Sequence, residues 1–188
     1  MPLTKPTVSF SEPVVDETSL VSSAQRDPAE FAALYDRYFR QIYHYLYSRV
    51  GSAAEAEDLT AQTFLAAIET LPRYHQRGHF AAWLFTIARN KARDFYRTGV
   101  SPIPLDENHP DESDDPLSQA IRTDQIKQLA ELVSTLEENE QELIRLRFVA
   151  DLSFAEIGVC LGRKEDTVKK TFYRLLARLQ RQLEVSHD

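Results

Sequence analysis

The stretch Phe80–Arg97, FAAWLFTIARNKARDFYR, decides the fold of the first half of the chain. Its first half is apolar and aromatic, and its second half is basic. Phe80, Leu84 and Ala88 recur at the spacing of helical turns, which predicts one amphipathic helix with a buried stripe. Its other faces carry cationic and amide side chains: Arg89, Asn90, Arg93 and Arg97.

This composition is typical of a surface for unpaired nucleic acid. Aromatic rings stack on bases, while Arg and Lys side chains hold phosphates. The alternative is an ordinary core helix whose basic end is only solvated. The helix taken alone does not decide between these two interpretations.

The whole composition indicates a small helical protein. A length of 188 residues allows one domain or two small ones, and 43% hydrophobic residues with only 5 Gly favour a helical core. The single cysteine, Cys160, excludes a disulfide framework and a Cys-based zinc cluster. The sequence has no signal-like apolar run and none long enough to cross a bilayer, so we expect a cytoplasmic protein.

Charge is distributed unevenly along the chain. The net charge is −7, which by itself argues against a free-standing DNA-binding protein. Residues 31–97 carry 9 basic and 6 acidic residues, a net +3, whereas residues 98–124 carry 1 and 7, a net −6. We therefore predict a disordered tail over residues 1–26, a folded domain over 27–97 and an acidic, Pro-rich linker over 98–114.

The first domain is predicted to begin with two further helices. Asp27 and Pro28 suit a helix start, and the first helix is expected to end at about Val50. Ser52 is predicted to cap the next, which runs to about Leu71. One polar face of that second helix consists of Asp58, Gln62, Leu65 and Glu69. The apolar Leu65 lies in its middle, as in a partner-binding surface. The alternative is an ordinary solvated face.

The loop LPRYHQRGH, residues 71–79, offers a surface for an extruded base. An aromatic ring stands there among cationic and amide side chains: Arg73, Tyr74, Gln76 and Arg77. His75 and His79 are four residues apart, as metal ligands on a helix can be. They fall in a loop with no ligand partner nearby in sequence, so we expect no metal and no cofactor.

Residues 115–188 are predicted to form a second helical domain that ends in a helix-turn-helix. Thr135 is expected to cap a helix that ends near Ala150. Ser153 and Glu156 make a capping box for the short helix that follows. Gly158 is the small residue that the motif needs inside this helix, and Gly162 is the glycine at the turn. The last helix carries its polar and cationic residues on the outside: Lys164, Lys169, Lys170, Tyr173, Arg174 and Arg178. Such a helix can enter the major groove of duplex DNA; the alternative is a plain helical hairpin with a basic face.

The combination resembles RNA polymerase sigma factors of the extracytoplasmic-function (ECF) class. Three stretches carry the resemblance: AEDLTAQTF (56–64), FAAWLFTIARNKARDFYR (80–97) and LSFAEIGVCLGRKEDTVKKTFYRLLARL (152–179). Their order is similar to regions 2 and 4 of that family, joined by a linker. The resemblance covers about residues 31–183.

The resemblance implies a role for each part of this all-α, two-domain chain. Region 2 would dock on the β′ clamp helices of core RNA polymerase through the Asp58–Glu69 face. The 71–79 loop and the helix after it would open the −10 element and hold one strand. Region 4 would read the −35 element and contact the β flap, and an anti-sigma factor is the usual regulator. No membrane association is implied.

Three positions depart from the family pattern. Ala61-Gln62 stands where Gln-Glu is frequent, Thr171 where an Arg is frequent, and Arg163 where an apolar residue is frequent. The tail, residues 1–26, corresponds to no part of the family pattern. Two of these departures fall at the core-binding contact and at one base contact of the family pattern.

We therefore expect a sigma factor and not an enzyme. The sequence has no nucleophile–base pair, phosphate loop or metal constellation. Two alternatives stay open. One is a stand-alone helix-turn-helix regulator with a sensor or dimerisation domain, and the other is a sigma-like decoy that binds polymerase without opening DNA.

Overall fold

The computed structural model describes residues 16–75, 78–97 and 130–185, with side chains up to residue 183. Within these ranges the chain is helical and contains no strand. The helices are α1 (Glu17–Arg26), α2 (Phe31–Val50), α3 (Ala53–Thr70), α4 (Phe80–Arg97), α5 (Glu138–Ile144), α6 (Phe154–Leu161) and α7 (Glu165–Val185). Residues 130–134 are also helical. The all-α fold class is thereby confirmed, and the linker over 98–114 lies outside the described residues.

Helices α2, α3 and α4 pack together as the core of the first domain. A 3-10 turn, Pro28–Glu30, leads into α2, and the side chain of Asp27 accepts a hydrogen bond from the Ala29 N–H at 3.0 Å. Gly51 ends α2 with a φ of +73°, a conformation that costs glycine little. The hydroxyl oxygen of Ser52 accepts from the Glu55 N–H at 3.4 Å and so caps α3.

The prediction of a disordered tail is wrong for Glu17–Arg26. These residues form α1, which buries Val21 and Ala24 in the first domain. Glu17 accepts a hydrogen bond from the Tyr38 hydroxyl and ties the start of α1 to α2. A helix of ten residues is marginal on its own in water, so its stability comes from packing against the domain. Residues 1–15 lie outside the described ranges.

The second domain contains the predicted helix-turn-helix. The capping box at Ser153 and Glu156 is present, with the Ser153 N–H donating to the Glu156 carboxylate at 2.8 Å. A Cβ added to Gly158 would lie 2.7 Å from the backbone oxygen of Arg163, so only glycine lets the turn approach α6 this closely. The N–H of Arg163 in turn donates to the carbonyl oxygen of Gly158 at 2.8 Å.

The predicted cap at Thr135 is wrong. The Thr135 hydroxyl donates to the Leu132 carbonyl oxygen at 2.8 Å, one turn back, and α5 begins after Glu137 instead. Helix α5 then continues into one wide helical turn, Arg145–Val149, before Ala150. The expected end of this helical segment near Ala150 is therefore confirmed.

The two domains share one hydrophobic core. Helix α4 packs against α6, and α2 packs against the wide turn Arg145–Val149. Leu143, Leu146, Ile157 and Cys160 of the second domain belong to the same buried cluster as Leu84 of the first. This packing places the basic half of α4 against the second domain.

In the part of the chain that the structure describes, no helix combines the length and apolar character that a bilayer crossing needs.

Candidate nucleic-acid and polymerase interfaces

The 71–79 loop begins as a 3-10 turn, Leu71–Arg73, with Arg73 exposed. Tyr74 follows, half-buried, with its ring centroid 4.8 Å from that of Trp83 and 5.7 Å from that of Phe80. Its ring is therefore held by its neighbours. Two more of the predicted loop contacts, Gln76 and Arg77, lie outside the described residues.

The polar residues predicted on α4 divide between two environments. Asn90, Arg93 and Arg97 are exposed, and Arg97 forms an ion pair with Asp94 at 3.6 Å. Arg89 is only 29% exposed, and its Nε lies 3.3 Å from a carboxylate oxygen of Glu142 in the second domain. Arg89, which is predicted to hold the −10 strand, therefore lies in the contact between the two domains.

Glu142 is the centre of a buried polar cluster between the domains. Its side chain is 4% exposed and accepts hydrogen bonds from the Tyr45 hydroxyl at 2.6 Å and from Arg49. Arg49 also pairs with Glu138 at 3.0 Å. Burial, followed by the Glu142 charge, raises the pKa of Tyr45 well above its ordinary value, so its hydroxyl stays protonated and donates.

A cavity of about 630 Å³ lies beside this cluster, between the domains. Its lining is rich in arginine and includes Arg49, Arg89, Arg93, Tyr96, Glu138 and Arg145. Sequence reasoning missed the Tyr45, Arg49 and Glu142 contacts. They join residues 93 and 97 positions apart, and neither helical periodicity nor a local motif marks such a pair.

The predicted partner-binding face of α3 is a single exposed surface. Asp58, Gln62 and Glu69 are exposed, and the Gln62 amide donates to the Asp58 carboxylate at 2.7 Å. Leu65 is 60% exposed in their midst, and the neighbouring Ile68 is 43% exposed. Two exposed aliphatic side chains bordered by polar groups form a small patch of the kind that contacts another protein.

On α7 and the turn before it, four of the six predicted DNA contacts are exposed: Lys164, Lys170, Tyr173 and Arg174. Lys169 instead pairs with Glu165 at 2.6 Å, and Arg178 pairs with Glu140 of α5 at 2.5 Å. The hydrogen bond and charge of Glu165 raise the pKa of Lys169. Thr171 is half-buried and donates to the Thr167 carbonyl oxygen at 2.8 Å.

Both halves of the chain match models of known protein families. Residues 34–100 match the model of sigma-70 region 2, and residues 126–179 match the model of sigma-70 region 4. The ECF RNA polymerase sigma factor SigD of Mycobacterium tuberculosis is 32% identical over 156 residues, which cover 78% of this chain and 74% of SigD. The chain belongs to the ECF family of RNA polymerase sigma factors.

Other relatives of this ECF sigma factor agree with that assignment. The ECF RNA polymerase sigma factor BldN of Streptomyces coelicolor is 36% identical over 172 residues, 87% of this chain. That alignment spans 64% of BldN, just under two thirds of its length. The sigma factor RpoE, solved in complex with the anti-sigma factor NepR from Bartonella quintana, has the same fold. It superposes with a TM-score of 0.64 at 21% identity and covers 83% of this chain and 98% of that one.

The family matches locate the candidate surfaces within the ECF sigma factor. The exposed face of α3 and the basic half of α4 belong to region 2. The helix-turn-helix and the exposed cationic side chains of α7 belong to region 4. One chain therefore carries a candidate protein-binding face and two candidate DNA-binding surfaces.

Proposed function

We propose that this ECF sigma factor binds core RNA polymerase and directs promoter recognition, DNA opening and transcription initiation. The observation that carries the proposal is the presence of regions 2 and 4 in one chain, each with a part of its predicted surface exposed. As a specificity factor it has no catalytic centre of its own. Its place of action is the cytoplasm, where core polymerase works.

Residues 27–97 form the polymerase-docking and −10-reading domain of this proposal. The face of Asp58, Gln62, Leu65 and Glu69 binds the β′ clamp helices, which an exposed Leu65 bordered by polar groups supports. The loop from Arg73 and the exposed cations of α4 hold the separated −10 strand, because Arg side chains bind phosphates without regard to base.

Residues 115–188 form the −35-reading domain, connected through the 98–114 linker. Lys164, Lys170 and Arg174 are exposed at and near the start of α7, where a recognition helix meets the major groove. Lys169 and Arg178 must give up ion pairs with Glu165 and Glu140 before they contact DNA. This domain also contacts the β flap.

An anti-sigma factor is the proposed regulator of this chain. RpoE from Bartonella quintana is described in complex with the anti-sigma factor NepR. An inhibitor of that kind would act on the same surfaces that polymerase and promoter use.

The stand-alone regulator is less well supported. Such a protein needs tight DNA binding without polymerase. The net charge of −7 opposes the approach of free protein to DNA, whereas docking on polymerase can sequester the acidic linker.

Run-off transcription tests the proposal. Purified full-length chain is added to core polymerase with fragments of its own genome, and specific transcripts that depend on the chain are expected. Gel-shift assays without core should detect no tight promoter complex at about 0.15 M salt. Binding without core would favour the stand-alone regulator, and core binding without transcripts would favour the decoy.

Asp58→Arg tests the polymerase-docking face. Reversing a charge at a partner surface weakens association, so affinity for core should fall about tenfold or more, the equivalent of 1.4 kcal/mol. Glu57→Arg is the matched control, since Glu57 is also exposed and acidic but lies one residue, or about 100°, around the helix. Equal affinities for both variants would remove this face from the proposal.

A further inference from the structure

The side chain of Gln25 joins helix α1 to the start of the 71–79 loop of region 2. The Gln25 amide nitrogen lies 3.0 Å from the carbonyl oxygen of Leu71 and 2.7 Å from that of Tyr74. These two carbonyls stand at either end of the 3-10 turn that presents Arg73. One primary amide has two N–H donors, which matches the two acceptors.

Gln25 is itself held in place by the rest of α1. Val21 is 0% exposed and Ala24 4% exposed, so the face of α1 beside Gln25 is buried in the domain. Glu17 ties the other end of α1 to Tyr38 on α2. The donor therefore projects from a fixed helix and not from a freely moving tail.

The same turn is supported on its other side by aromatic packing. The N–H of Tyr74 donates to the Leu71 carbonyl oxygen at 3.0 Å and closes the turn. The Tyr74 ring lies against Trp83 and Phe80 at the start of α4. Gln25 supplies the hydrogen bond to the Tyr74 carbonyl oxygen, just after the 3-10 turn ends.

We propose that Gln25 is a positioning residue for −10 opening: it fixes the turn from Leu71 to Tyr74, which presents Arg73 to the separated strand, and so α1 is part of the promoter-opening machinery. This inference rests on the proposed function. Capture of an unstacked base must offset an unpairing cost of a few kcal/mol, so a loop already in its bound conformation captures better than one that must first be ordered. Gln25 itself need not touch DNA.

Two variants of the full-length chain test the role. Gln25→Met keeps the length of the side chain and removes both donors. Gln25→Glu keeps the shape and puts a carboxylate against two carbonyl oxygens, so its effect should be the larger. Loss of two hydrogen bonds predicts about a tenfold loss of open complex for Gln25→Met.

Two controls separate positioning from general stability and from charge. Ile42→Val, in the core of α2 and 0% exposed, lowers stability without changing any group that hydrogen-bonds to the loop. Thr18→Glu adds one negative charge at an exposed position of α1. Thermal melting of every variant establishes that the assays run on folded protein.

Permanganate reactivity of thymines at the start site measures DNA opening. A gel shift with core polymerase measures closed complexes. A set of promoters with substituted −10 bases measures the −10 sequence preference. The expected result is fewer reactive thymines and a flatter −10 preference for both Gln25 variants. Core affinity, closed complexes and both controls should match the wild type. Wild-type opening and preference in Gln25→Met, or the same flattening in Ile42→Val, overturns the positioning role while leaving the proposed function standing. Failure of the wild type to open any promoter overturns both.

Discussion

At the scale of single residues, Gly158 holds the two helices of the helix-turn-helix together. A Cβ at this position would meet a backbone oxygen, Arg163 O, at 2.7 Å, and backbone cannot rotate away as a side chain can. Gly158→Ala should therefore destabilise the chain by about 1–3 kcal/mol, as other overpacking changes do. Thermal or urea unfolding measures this.

The control for Gly158→Ala is Val159→Ala. Val159 is the next residue of α6 and is 51% exposed. Its truncation should change stability by no more than about 0.5 kcal/mol. If the two variants unfold alike, the close approach at Gly158 does not limit the turn.

Cys160 shows how a residue can report on the domain interface. Burial raises the pKa of its thiol to about 11, although a hydrogen bond with the Thr86 side chain of α4 acts in the opposite direction. The thiolate is the reactive form, so iodoacetamide at pH 8 should modify the folded chain at least roughly a hundredfold more slowly than the denatured chain.

The same pKa shift has a consequence for stability. The folded-state pKa is the higher one, so the thiol's contribution is fully present below about pH 9 and is lost as the pH rises toward 11. Urea unfolding at a series of pH values, with Cys160→Ala as the reference, measures this contribution.

The iodoacetamide experiment has a clear contrary outcome. If the folded chain is modified as fast as the denatured chain, Cys160 is not shielded by α4.

At the scale of elements, the sequence predicts helices where local signals agree. The bounds of α4, Phe80–Arg97, and the capping box at Ser153 are confirmed because apolar spacing, caps and turn residues lie close together in the sequence. Helix α1 was missed because its stability depends on burial of Val21 and Ala24 against α2, which no local pattern records. Tertiary packing outweighs weak local propensity in such a segment.

Helix α7 carries exposed cationic side chains and others that are already in ion pairs. Lys170 and Arg174 are exposed, whereas Lys169 is paired with Glu165. The double variant Lys170→Ala/Arg174→Ala should abolish −35-dependent transcription and lower the slope of log affinity against log salt by about one unit per lost phosphate contact. Lys169→Ala should have a smaller effect, because its charge is already partly compensated.

The matched control on α7 is Arg181→Ala. Arg181 is exposed on the same helix, but it lies about two turns beyond Arg174 and nearer the C-terminal end of α7. Run-off assays on templates with and without the −35 element compare the variants. Unchanged −35-dependent transcription in the double variant would show that α7 is not the recognition helix.

At the scale of the whole molecule, the domain interface covers part of a proposed DNA-binding surface. Arg89 is paired with Glu142, and Arg93 lines the cavity between the domains. The sequence could predict both domains and the basic character of α4. It could not predict that Glu142, on the second domain, would accept hydrogen bonds from Tyr45 and Arg49 on the first, because that match arises only when the domains pack.

Glu142→Gln should loosen this interface and expose Arg89 of α4. The variant keeps the size of the side chain and removes the charge that compensates Arg49, whose side chain is 7% exposed. Breaking a buried ion pair on one side costs on the order of 3–5 kcal/mol, so the contact between the domains should weaken. A larger radius of gyration in solution scattering and tighter binding of single-stranded −10 DNA are expected.

The control for this variant is Glu138→Gln. Glu138 also pairs with Arg49, but its side chain is 66% exposed, and such pairs contribute at most about 1 kcal/mol. If Glu142→Gln lowers the melting temperature while scattering and strand affinity stay at the wild-type values, the cluster stabilises the fold without covering the DNA-binding surface.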